Sequence, residues 1–217
     1  MEIYLDTAND EEVKFAARYG FLDGITTNPS IISREKEEFQ QVIQRIDRTI
    51  DGKVWCQVTE ENAETMYKQG LEMNQWAKNA VIKLPMNENG LEAAYRLRQE
   101  HVEVNMTLIY SLSQVVLAAK AGVTYISPYI GRMDDHVLDG QLFIRKAKEI
   151  IHACHSDTKI IGASIRSPQV VVELARDGYD AVTMAFPVYK KMFHSSLTVE
   201  GLEQFHNDWA SYEHRSL

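Results

Sequence analysis

Cysteine is nearly absent from this chain of 217 residues: it has two, Cys56 and Cys154, which form neither a disulfide framework nor a metal-ligand spacing. Also missing is any apolar run approaching the roughly 18–20 residues of a membrane-spanning helix. No Pro-, Gly- or Ser-rich stretch divides the chain, so one domain over residues 1–217 is expected. The start, Met1-Glu2-Ile3-Tyr4-Leu5-Asp6, has neither the basic region nor the long apolar core of a signal peptide, and a reducing cytoplasm fits best. Positive charge is short as well. Lys+Arg number 23 against 31 Asp+Glu, and the net charge of −8 argues against a general nucleic-acid surface while leaving room for a local basic pocket. Low-complexity segments and residue-level repeats are absent, and no G-x-G-x-x-G follows the first strand candidate, which weighs against an open dinucleotide-binding sheet.

What the chain does have is a repeat of pattern. Short β-branched runs at 3–6, 24–28, 54–58, 80–85, 103–110, 124–130, 159–165 and 181–186 alternate with amphipathic stretches at 10–19, 35–50, 62–78, 90–100, 111–121, 138–153, 168–177 and 188–193. Several of the latter open on Ser, Asn or Asp and close on Gly, as capped helices do. Short connections force a parallel sheet, and eight parallel strands in a chain of this size favour closure into an α/β fold, the (β/α)8 barrel. An additional C-terminal helix is expected at about 199–212, where Leu202, Phe205 and Trp209 recur at i, i+3 and i+7, an apolar face for this barrel or for a neighbour.

Lys83 stands inside the apolar run Ala80-Val81-Ile82-Lys83-Leu84-Pro85, where strand pattern predicts burial. A lysine taken out of water tends towards its uncharged, nucleophilic form, the form that attacks a carbonyl to make a Schiff base. The bland alternative is a strand-end lysine that reaches solvent or pairs with a carboxylate. Side chains alternate along a strand, so polar residues at other strand ends test the first reading. Asp6, Thr26 and Asn28, Gln57, Asn105 and Thr107, Ser127 and Tyr129, and Ser164 and Arg166 occupy those ends. Polar residues at so many carboxyl ends are hard to explain as core, and active sites of barrels lie there. Each taken singly could instead cap a helix or bridge two strands. Arg132 and Arg166, after the sixth and seventh strands, suit an anion such as phosphate, or else two surface salt bridges. His152 and His155, the one close histidine pair, fall on a predicted helix away from these ends, which speaks against a zinc-dependent aldolase. No metal site is expected.

Six segments carry a resemblance that spans essentially the whole chain. They are Tyr4-Leu5-Asp6-Thr7-Ala8, Gly24-Ile25-Thr26-Thr27-Asn28-Pro29-Ser30, Val81-Ile82-Lys83-Leu84-Pro85-Met86, Asn105-Met106-Thr107-Leu108-Ile109-Tyr110-Ser111, Ile126-Ser127-Pro128-Tyr129-Ile130-Gly131-Arg132 and Ala163-Ser164-Ile165-Arg166. In this order the sequence resembles the small-subunit transaldolases, including the fructose-6-phosphate aldolases. The resemblance implies a Schiff base on Lys83, no metal or organic cofactor, a sugar phosphate and a dihydroxyacetone-type donor as small-molecule partners, and no nucleic-acid or membrane partner. It also implies a ring-shaped homo-oligomer, often a decamer, whose C-terminal helix reaches a neighbouring subunit.

By the same resemblance Asp6 would act on the hydroxyl at the bond being broken, and Asn28 would hold the dihydroxyacetone portion. Gln57, Thr107 and Tyr129 would order a water that shuttles protons, and Ser164, Arg132 and Arg166 would bind the phosphate. Within the family, Gln at position 57 and Tyr at 129 resemble the aldolases, where transaldolases have Glu and Phe; Asn105 and Ser127 resemble transaldolase residues. The former pair sits on the proton path and points to an aldolase acting on the C3–C4 bond of fructose 6-phosphate. The alternatives are transfer of the dihydroxyacetone unit, use of a sulfonated sugar, and a phosphosugar-binding barrel without chemistry.

Overall fold

The computed structural model describes residues 1–215. Its elements run β1 (Glu2–Asp6), α1 (Asp10–Ala17), β2 (Gly24–Thr26), α2 (Pro29–Ile32), α3 (Phe39–Thr49), β3 (Lys53–Gln57), α4 (Ala63–Met73), β4 (Ala80–Pro85), α5 (Glu88–Gln99), β5 (Val104–Ile109) and α6 (Leu112–Ala121). They continue with β6 (Tyr125–Pro128), α7 (Ile130–Asp135), α8 (Gly140–Ala153), β7 (Lys159–Ile165), α9 (Pro168–Arg176), β8 (Ala181–Met184), α10 (Phe186–Lys191) and α11 (Ser196–Arg215). The eight strands are parallel and pair in sequence order, β8 closing on β1, so the barrel is a (β/α)8 barrel.

Strand alternation divides the core in two. Outward residues such as Leu5, Val54, Cys56, Ile82, Leu84 and Met184 pack against the helices, and burial there pushes the Cys56 thiol up to about 12, which leaves it an inert apolar filler. Inward residues Tyr4, Trp55, Val81, Tyr125, Ile161 and Ala181 fill the barrel itself. The Trp55 ring meets Tyr4 at 4.3 Å and Tyr125 at 5.6 Å between centroids, edge to face in both cases. This plug is fastened at the amino end of the strands, where Lys53 donates to Glu103 at 2.5 Å and to the Tyr125 hydroxyl at 2.7 Å. One strand end remains for chemistry.

The element boundaries depart from the sequence pattern where proline intervenes. The helix expected at 35–50 is α3, Phe39–Thr49, and ahead of it lies a short α2 that was not expected, opened by the Asn28 cap with Pro29 in its first turn. The sixth strand stops at Pro128, which has no N–H to continue the ladder, and Tyr129 becomes the N-cap of α7, a helix that the alternation did not announce. The eighth ends at Met184 because Pro187 lies in the first turn of α10. The C-terminal helix runs Ser196–Arg215, longer than the expected 199–212. No described helix is long and apolar enough to cross a membrane.

Candidate active site

Directly above the aromatic plug lies a polar layer made by the same inward parity. The strand register aligns Gln57 with Lys83, Lys83 with Asn105, Asp6 with Thr26, and Thr107 with Ser127. At the carboxyl ends of the strands this layer borders a cavity of about 530 Å³ lined by Asp6, Thr26, Asn28, Gln57, Lys83, Ser127, Tyr129, Arg132, Ser164 and Arg166. Asn105 and Thr107, fully buried, join it through hydrogen bonds to Ser127 and Tyr129. The structure thus brings every residue expected from the sequence to one end of the barrel.

Lys83 is 4% exposed, and its Nζ donates to the carbonyl of Thr27 at 2.8 Å. It makes no ion pair with any described carboxylate. Thr27 is fixed in turn, since its hydroxyl donates to the Trp55 carbonyl at 2.7 Å, so the plug sets the height of the amine. Of the two alternatives for this lysine, solvent exposure or a carboxylate partner, neither holds.

Asp6 is aimed by β8 and β2 together. The Thr26 hydroxyl donates to Asp6 Oδ1 at 2.7 Å, and Thr183 shares a 2.6 Å bond with the same Thr26 oxygen. As Thr26 has one proton, spent on Asp6, Thr183 is the donor to Thr26. Asn28 answers to both of its sequence readings: its side-chain oxygen caps α2 by accepting from Ile31 N at 3.1 Å, while the residue also lines the cavity, to which its amide N–H2 remains available. Gln57 Oε1 is buried without a hydrogen-bond partner among the described residues, an acceptor next to the lysine that a donor from a ligand could satisfy. The Asn105 amide donates to Ser127 Oγ at 2.9 Å, and Thr107 donates to the Tyr129 hydroxyl at 3.2 Å.

The cationic side of the cavity depends on one close approach. A Cβ placed on Gly131 would lie 1.9 Å from the Ser164 carbonyl oxygen, so only glycine lets α7 pack against the end of β7 and set Arg132 beside Arg166. Arg132 donates to the Tyr110 hydroxyl at 3.2 Å and stands 5.0 Å over the Tyr129 ring. Arg166 is ion-paired to Asp135 at 2.5 Å, and this guanidinium holds the Asp135 carboxyl below the usual carboxylate range. Here the surface-salt-bridge reading of Arg166 is realised together with its place at the cavity. Ser164 has a left-handed backbone, φ 63°, at the irregularity between β7 and β8.

Sequence reading overlooked several cavity residues. Thr183 was available from parity with the buried Ala181, two positions before it. Leu108 was not: next to the inward Thr107 it should face out, but a break in the β5–β6 register and φ 61° turn it to the cavity. Arg34, beyond α2, also lines the cavity and carries no periodic signal. His152 and the nearby His155 lie on the outer surface, at the end of α8 and just past it.

A lysine buried without a counter-ion, a carboxylate aimed by two threonines, hydroxyl and amide groups around them, and arginines at the rim are the parts needed to bind an anionic carbonyl compound and move protons about it. Comparison with known proteins gives the same direction. Residues 3–216 match the family described as Transaldolase/Fructose-6-phosphate aldolase. A probable transaldolase of Kosmotoga olearia is 44% identical over 212 residues, covering 98% of this chain and 97% of that one. Those of Lactiplantibacillus plantarum and Methanococcus maripaludis are 42% and 41% identical, over 98% and 99% of this chain and 98% and 100% of theirs. The chain belongs to the transaldolase/fructose-6-phosphate aldolase family.

Proposed function

We propose that the protein is a Schiff-base aldolase that breaks or forms the C3–C4 bond of a ketose phosphate, fructose 6-phosphate by preference, giving dihydroxyacetone and glyceraldehyde 3-phosphate. The observation that carries this reading is Lys83, buried and unpaired at the floor of a polar cavity. Its amine adds to C2, and loss of water leaves a protonated imine. Asp6, oriented by Thr26, takes the proton of the C4 hydroxyl; the C3–C4 pair moves into the imine, the aldehyde departs and an enamine remains. Protonation at C3 and hydrolysis then return dihydroxyacetone and the free lysine. Gln57, Thr107 and Tyr129 attend the proton transfers, Asn28 holds the dihydroxyacetone end, and Ser164, Arg132 and Arg166 hold the phosphate. No metal or organic cofactor enters this scheme.

A second reading, transfer of the dihydroxyacetone unit to another aldehyde, is supported by the names of the three relatives and by the Asn105–Ser127 pair beside the lysine. The Tyr129 hydroxyl favours the first, because, hydrogen-bonded to Thr107 at 3.2 Å and lining the cavity with Lys83, it supplies a proton donor for the enamine that a phenylalanine ring would lack. One assay divides them: cleavage of fructose 6-phosphate with and without erythrose 4-phosphate. Free dihydroxyacetone in the absence of acceptor supports the aldolase, strict acceptor dependence the transaldolase, and Tyr129→Phe should move the enzyme towards transfer. Borohydride added with dihydroxyacetone should fix the adduct on Lys83; an unmodified Lys83 under saturating ligand refutes both.

A homo-oligomer is part of the proposal. Along α11, Leu197, Leu202, Phe205 and Trp209 are 75, 62, 71 and 61% exposed, an apolar face that a neighbouring subunit would cover. The expected setting is the cytoplasm.

A further inference from the structure

We infer that Arg34 is a specificity-determining residue, the cation that makes this cavity prefer a dianionic phosphate ester over a monoanionic analogue such as a sulfonate. The inference rests on the anion-binding role proposed above for the β6 and β7 ends, and extends it to a residue outside the family's recognisable segments. Three guanidiniums line the cavity, those of Arg34, Arg132 and Arg166, together with the amine of Lys83 and the carboxylate of Asp6. Lys83 is at the floor, committed to the carbonyl of Thr27. Arg166 is neutralised by Asp135, whose carboxylate oxygen is 2.5 Å from its Nη2. Arg132 has only uncharged partners, the Tyr110 hydroxyl and the Tyr129 ring. The two cavity arginines of this corner and the one carboxylate paired to them carry a net charge of about +1, while Asp134, the other acid of α7, accepts from the Gly140 N–H instead.

A phosphate monoester carries roughly −1.5 to −2 near pH 7, a sulfonate −1. That corner alone matches the sulfonate. The second charge of a phosphate needs another cation, and Arg34 is the cavity arginine whose guanidinium makes no hydrogen bond, ion pair or ring contact with any described residue. It approaches from across the mouth, from the turn after α2, where its backbone N–H donates to the Ile31 carbonyl at 3.1 Å. The helix beneath it is anchored by Asn28, itself a cavity residue. A long, exposed, unpaired guanidinium on such a base is free to swing over a bound anion and pair with it in place of water.

The test measures binding, not turnover. Calorimetric affinities are determined for glycerol 3-phosphate and for 2,3-dihydroxypropane-1-sulfonate, which has the same three-carbon diol, one charge fewer and no bridging ester oxygen, on the native protein, Arg34→Gln and Arg34→Lys, so that the difference between variants rather than the native ratio isolates the charge. Arg34→Gln should weaken the phosphate about tenfold and the sulfonate by less than about threefold, and Arg34→Lys, which keeps the charge, should hold the phosphate within about threefold of the native value. Equal loss for both probes, no loss for either, a lysine variant as poor as the glutamine, or a native protein that binds the two alike would each overturn the inference. Dihydroxyacetone has no anionic group, so failure of borohydride to trap it on Lys83 would remove the lysine chemistry and leave these affinities to stand or fall separately.

Discussion

Replacing Lys83 by Met should make the fold more stable while abolishing turnover, and the size of the gain follows from the surroundings of the amine. Lys83 is 4% exposed and has one hydrogen bond, to Thr27 O at 2.8 Å, with no carboxylate in ion-pairing reach among the described residues. Desolvating an ammonium costs several kcal/mol, of which a hydrogen bond to a carbonyl returns about 1.5–3. Methionine has similar length and no charge, so the desolvation term disappears; against that, the Thr27 carbonyl loses its partner, at about 1–3 kcal/mol. Several kcal/mol of desolvation less these two losses leaves a stabilisation of up to about 2 kcal/mol. For a domain of this size each kcal/mol moves Tm by roughly 2–4 °C. Thermal unfolding at fixed protein concentration measures it, with loss of borohydride trapping as the check that the functional amine has gone.

Lys53 is the control, because it has what Lys83 lacks. It is 28% exposed in its side chain and paired to Glu103 at 2.5 Å and to the Tyr125 hydroxyl at 2.7 Å. Lys53→Met leaves that carboxylate and phenol without their cation and should cost about 1–2 kcal/mol, between the values for exposed and buried pairs. The two substitutions should therefore shift Tm in opposite directions. A Lys83→Met protein that melts below the native one would mean that the lysine is well accommodated where it is, and the argument from its unpaired burial would fail.

The same plug predicts a loss of stability in base. Burial, reinforced by the Glu2 carboxylate, raises the Tyr4 phenol well above its ordinary 10.0; burial opposes the charge of Lys53, but Glu103 and Tyr125 outweigh it and hold it above 10.5. Both groups have folded values above their unfolded ones, so their contributions are complete below about pH 10 and decline as the pH rises beyond it; Tm measured from pH 9 to 11.5 should fall less steeply in Tyr4→Phe, and parallel curves would contradict this. Gly131→Ala puts a methyl group 1.9 Å from the Ser164 carbonyl and should separate Arg132 from Arg166, costing about 1–3 kcal/mol of stability and raising KM for a phosphorylated ketose more than it lowers kcat; an unchanged KM would dissociate the glycine from the anion site. If the proposed homo-oligomer closes through α11, Trp209→Glu, at a position 61% exposed, should give smaller species than the native protein on size-exclusion chromatography, and an unaltered elution volume would contradict an interface there.

The parts of the site that the sequence disclosed are those carried by period-two alternation. Tyr4 and Asp6, Trp55 and Gln57, Val81 and Lys83, and Tyr125 and Ser127 each place a plug residue and a polar residue two apart on one strand, and parity alone put the polar member above the plug. Tyr129 escaped that logic although its position was anticipated: Pro128 had already ended the strand, and a single bridge to Ala163 with a helix N-cap replaced the ladder. Leu108 and Ser164 show why parity could not have gone further. Both have positive φ, 61° and 63°, where a non-glycine side chain costs of order 1–3 kcal/mol, and both sit where strand register breaks. Such strain is local and irregular, so no periodic signal announces it; it is sustained by tertiary contact, as when α7 presses on the Ser164 carbonyl through Gly131. The lysine-bearing floor of the cavity is thus a product of repeating strand geometry, whereas its rim, where Leu108, Ser164, Arg34 and Arg166 lie, is set by departures from it. Under the proposed function substrate discrimination falls to that rim, which is why the chain pointed to lysine chemistry more readily than to the identity of a sugar.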